Sequence, residues 1–113
     1  MDDYQETLRK LAVRDDRFID SLLGEHRDDS ALSGLDPRSH ALARMGALVA
    51  VDATPAAYMC TVEAALKAGA SYEEIVGTLI AVLPVVGVPR VVAAAPSLGL
   101  ALGFDVAEAL EAV

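Results

Sequence analysis

Tryptophan is missing from the 113 residues, and all aromatic residues together make up 4% of the chain. A core without large rings has to be assembled from many small side chains on closely approaching elements, and alanine, valine and leucine dominate here. Cysteine occurs once, as Cys60, which excludes an internal disulfide and a thiol metal site of the CxxC type. Basic residues are scarce: nine stand against 17 acidic ones, the net charge is -8, and no basic patch forms in sequence. Nucleic-acid binding draws most of its affinity from clustered Lys and Arg, so a phosphate-backbone partner is excluded. The opening MDDYQETLRK has neither a basic leader nor an apolar run, so no secretory signal is visible and the default compartment is cytoplasmic. Charge is also nearly absent from Ile75 to Phe104, where Arg90 alone carries one. A membrane-spanning helix needs roughly 20 consecutive apolar residues, and Pro84, Pro89 and Arg90 divide this run into shorter pieces. A membrane partner is therefore not expected.

What is present points to one compact all-α domain over residues 1–113, with 54% hydrophobic residues to build a core. Three stretches organise it: N-terminal helices and a loop over 1–34, a helical core over 35–104 and a C-terminal helix over 105–113. Tyr4, Leu8 and Leu11 fall at helical spacing, as do Phe18 and Leu22, before DDSALSG interrupts the pattern. Asp36 followed by Pro37 is a strong helix start, and Thr54 followed by Pro55 repeats it, with Gly69 placed to end that helix. Ser71 and Glu74 have capping-box spacing, which predicts a further helix to about Val86. Gly87 and Pro89 mark a break, another apolar helix continues from there, and Asp105 caps a last one.

The two helices between Ile75 and Phe104 are apolar nearly all round, which a domain of this size cannot easily cover by itself. A second subunit is the expected cover, with Ala93 to Ala95 and glycines 77, 87 and 99 suiting close helix approach across an interface. The alternative is a hairpin wholly buried by the amphipathic N-terminal helices.

LDPRSHALARMGALVAV, VEAALKAGASYEEIVGTL and VVGVPRVVAAAPSLGLALG, spanning Leu35 to Gly103, resemble the carboxymuconolactone decarboxylase family, which also contains the alkyl hydroperoxidase D proteins. The resemblance implies an all-helical fold and assembly as a homo-oligomer, a trimer or a hexamer. In the family's redox branch a CxxCxxxH motif lies on the helix before the AALKAGAS hinge, and a glutamate on the preceding helix relays protons. Aligned on EAALKAG, Thr54 and Ala57 stand at the two cysteine positions, Thr61 at the histidine, and Ala41 or His40 at the glutamate. A dithiol cycle needs two thiols one turn apart and a base to form the thiolate, so it is not expected within one subunit. Thr61 also lacks the pKa near neutrality that a decarboxylase's proton-handling histidine would supply.

Five residues remain as pocket candidates: His40 and Arg44, one turn apart on one helix, and Tyr58, Cys60 and Thr61 on the next. His40 and Cys60 are the weak catalytic candidates, since a histidine beside a buried thiol activates it as a nucleophile. The plainer readings are a small core side chain for Cys60 and a partly exposed surface residue for His40. His26 reads as solvated loop, Glu63 and Lys67 as a surface i,i+4 pair, and Glu73 and Glu74 as cap residues. No metal or cofactor is expected. The favoured function is an oligomeric family-like protein without a thiol redox cycle that binds a small organic molecule, with a small organic acid as the candidate partner. The alternatives are a non-redox decarboxylase or isomerase acting on a small acid or lactone and, last, a peroxidase-like enzyme.

Overall fold

A computed structural model of the chain describes residues 3–111. Their backbone forms helices joined by turns, and contacts divide the chain into two compact units, Met1–Gly34 and Leu35–Val113.

The first unit holds α1 (Asp3–Ala12) and α2 (Asp16–Leu23), followed by a single 3-10 turn at Ser30–Leu32. The Asp15 carboxylate accepts the Phe18 N–H at 3.0 Å and starts α2. Asp29 starts the 3-10 turn in the same way, through the Ala31 N–H. The Lys10 ammonium lies 5.1 Å from the centre of the Phe18 ring, a cation–π contact that joins α1 to α2. Neither helix buries a residue fully, and His26 lies exposed in the turn that follows α2.

The second unit comprises α3 (Pro37–Ala50), α4 (Pro55–Lys67), α5 (Tyr72–Val86), α6 (Val88–Ala101) and α7 (Val106–Glu111). Each start expected from the sequence is present. Asp36 accepts the Ser39 N–H at 2.9 Å, Thr54 accepts the Ala57 N–H at 3.3 Å, and Asp105 accepts the Glu108 N–H at 3.0 Å. Both halves of the capping box form, with the Glu74 N–H donating to the Ser71 hydroxyl and the Ser71 N–H to the Glu74 carboxylate.

Three of these helices stop by one device. In α4 the Ala70 N–H reaches back to the Ala65 carbonyl and Gly69 N–H to Leu66, with Gly69 at φ +91°. Phe104 and Gly103 close α6 likewise. At the end of α3 the left-handed position is held by Asp52 at φ +54°, a conformation that aspartate tolerates better than most residues.

The core of this unit is Met45, Val49 and Ala41 of α3, Tyr58, Val62 and Ala65 of α4, Ala70, Ile75 and Leu79 of α5 and its approach, and Ala94 and Leu98 of α6. Pro84 and Pro96 lie inside α5 and α6, and α5 runs to Val86 as the sequence predicted, with Gly87 at φ +90° turning the chain into α6. Pro84 and Pro96 both face outward, so the carbonyls they leave without an N–H partner are near solvent rather than in the core. None of these helices is long and apolar enough to cross a membrane.

Within the chain, Gly87 and Gly99 have turning and packing tasks of their own. Gly87 is the α5–α6 turn itself. A methyl group on Gly99 would sit 2.8 Å from the Phe104 carbonyl oxygen and 2.9 Å from Val106 Cγ2, so Gly99 lets α7 fold back onto α6. On Gly46 it would meet Val82 Cγ1 at 3.1 Å, where α3 and α5 cross, whereas on Gly77 it would meet nothing within 4 Å. Gly99→Ala should therefore lower stability by about 1–3 kcal/mol through overpacking against backbone. Gly77→Ala should raise it by about 0.5–1 kcal/mol, because alanine loses less entropy in a helix. Urea midpoints followed by circular dichroism give both signs, and shifts in the same direction would contradict this packing.

Candidate functional site

The two helices that carry the five candidates pack against one another within the second unit. On α3, with 100° per residue, the buried Ala41, Met45 and Val49 form the inward face, and His40 and Arg44 share one flank of it. His40 is half-buried, and its Nε2 is sealed from solvent. Arg44 is half-buried as well, one turn further along. The sequence reading of His40 as partly exposed thus holds for the side chain as a whole, while its outer nitrogen is covered.

Along α4 the candidates diverge. Tyr58 is 1% exposed and belongs to the core with Val62 and Ala65. Burial raises the pKa of its phenol, and the nearby Asp52 carboxylate adds to the rise. Thr61 is half-buried on the flank of that inward face. Cys60 is exposed. The plainer reading of it as a small core side chain is corrected here: two residues after Tyr58, a helical side chain points roughly 200° away, out of the core. The helix thus sends Tyr58 inward and Cys60 outward.

Around this pair of helices, charge is arranged for structure. Arg90, the one charge of the apolar stretch, lies 3.6 Å from the Asp52 carboxylate and so ties the start of α6 to the end of α3. Arg38 lies 3.5 Å from Glu74 and ties the start of α3 to the start of α5. Glu63 and Lys67 form the expected surface pair at 3.1 Å. Among the described residues, no group of three or more His, Cys, Asp or Glu is placed to hold a metal ion.

The opposite flank of α3 borders an open groove against α5 of about 580 Å³, lined by Leu42, Ala43, Gly46, Glu74, Gly77, Thr78, Ala81 and Val82. Its two polar side chains are engaged internally, Glu74 in the capping box and with Arg38, and the Thr78 hydroxyl with the Glu74 carbonyl. None of the five sequence candidates lines it. The sequence reading passed over this groove, although Ala43, Gly46, Gly77 and Ala81 at helical spacing carried its signal.

The carboxymuconolactone decarboxylase family profile matches residues 20–98. The chain belongs to this family. The match takes in α3, α4, α5 and most of α6, the helices that supply nearly all of the core. No curated protein and no solved structure matches the chain. Thr54 has a structural task, since its hydroxyl caps α4.

Glu74 gives a pH signature. The Ser71 N–H is the main cause of its lowered pKa, with the Arg38 guanidinium adding to it. A carboxylate with a depressed folded pKa contributes stability that is present above its unfolded value, roughly pH 4.3, and lost as pH falls through the folded value. Urea midpoints measured from pH 6 downward should fall in acid more steeply for wild type than for Glu74→Gln. Parallel curves would contradict a role for this carboxylate in holding α5.

Proposed function

We propose that the chain is an oligomeric carboxymuconolactone decarboxylase family protein that runs no thiol redox cycle and binds a small organic acid on the His40–Arg44 flank of α3. The observation that carries this reading is the placing of Cys60. It is the one thiol of the sequence, it is directed out of the core, and Thr54 and Ala57 stand where a pair of cysteines would be. An internal disulfide, the intermediate on which a dithiol cycle depends, has no second sulfur to form with.

Support for ligand binding comes from the chemistry of the flank. Arg44 supplies a permanent cation, and a guanidinium matches the planar geometry of a carboxylate. His40 supplies an imidazole whose outer nitrogen is shielded from water, and Thr61 a hydroxyl on the neighbouring helix. A small acid or lactone-derived enolate fits such a set better than a cation does. The same groups leave room for the second reading, non-redox decarboxylation or isomerisation, because an imidazole is the side-chain type most often used for general acid–base transfer.

Support for self-association comes from the outer faces of α5 and α6. Tyr72, Val76, Ile80 and Leu83 form one stripe along α5, with Ile80 71% exposed, and Val88 and Val92 follow one turn apart on α6. Surface apolar groups at this density belong to interfaces more often than to free surfaces. A second copy of the chain is the proposed cover, in a trimer or hexamer.

Three measurements test the chemistry. Peroxide turnover coupled to a dithiol reductant should be equal for wild type and Cys60→Ser, and a clearly faster wild type would contradict the absence of a thiol cycle. In a thermal-shift screen of aromatic and lactone-type acids, a hit should raise the melting temperature, since a ligand bound only by the folded state stabilises it. Calorimetry of that hit should show affinity falling roughly tenfold or more in Arg44→Ala, the loss expected for a charge-assisted hydrogen bond. Unchanged affinity in both Arg44→Ala and His40→Ala would place the ligand elsewhere.

A further inference from the structure

We draw no further inference here: the strongest candidate, the open groove between α3 and α5, is walled by small apolar residues with nothing in the structure to show what covers it.

Discussion

From Ile75 to Phe104 helices α5 and α6 are apolar nearly all round, and the second unit is built around that constraint. Each buries one side against α3 and α4 through Ile75, Leu79, Ala94 and Leu98. From Ile75 on, the outward sides are mainly valine, leucine, isoleucine, alanine and proline, and Arg90 is the single charge between Ile75 and Phe104. Even that charge is turned back to Asp52 rather than into solvent alone. A free surface of this composition is costly in water, because each exposed apolar side chain forgoes roughly 1.5–3 kcal/mol of burial. The proposed self-association follows from this cost, and the acidic remainder of the chain is suited to keeping an assembly soluble.

Small side chains set how the helices meet and, through that, where chemistry is available. With no tryptophan to fill space, α3 and α5 approach until Gly46 nearly touches Val82, and α7 folds onto α6 over Gly99. That closeness gives α3 two unlike flanks. One borders a groove of small apolar residues whose polar members are already engaged, and the other carries His40 and Arg44. Family membership accounts for the helical scaffold, whereas a reaction has to be argued from the site itself.

Local signals made the helix boundaries legible in the sequence. Asp36–Pro37, Thr54–Pro55, the Ser71–Glu74 box and Asp105 each act within one turn of themselves, and each does so in the structure. What was harder to read depends on three-dimensional neighbours. Asp52 ends α3 in a left-handed conformation that its sequence, flanked by Val51 and Ala53, does not announce. Cys60 reads as core because its helix is rich in alanine. Its direction is fixed by which face of α4 meets α3 and α6, and Tyr58 settles that.

The central claim is that a second copy covers the apolar stripe of α5. Native mass spectrometry at micromolar concentration, on wild type and on Ile80→Asp, tests it most directly. Ile80 is exposed within one chain, so the substitution leaves the core intact, whereas a carboxylate buried at an interface without a partner is strongly unfavourable. The account predicts a wild type at a multiple of 11.8 kDa, a trimer or hexamer, and an Ile80→Asp variant of equal helix content that dissociates. Wild type found only at 11.8 kDa, or a variant that assembles as wild type does, would contradict it.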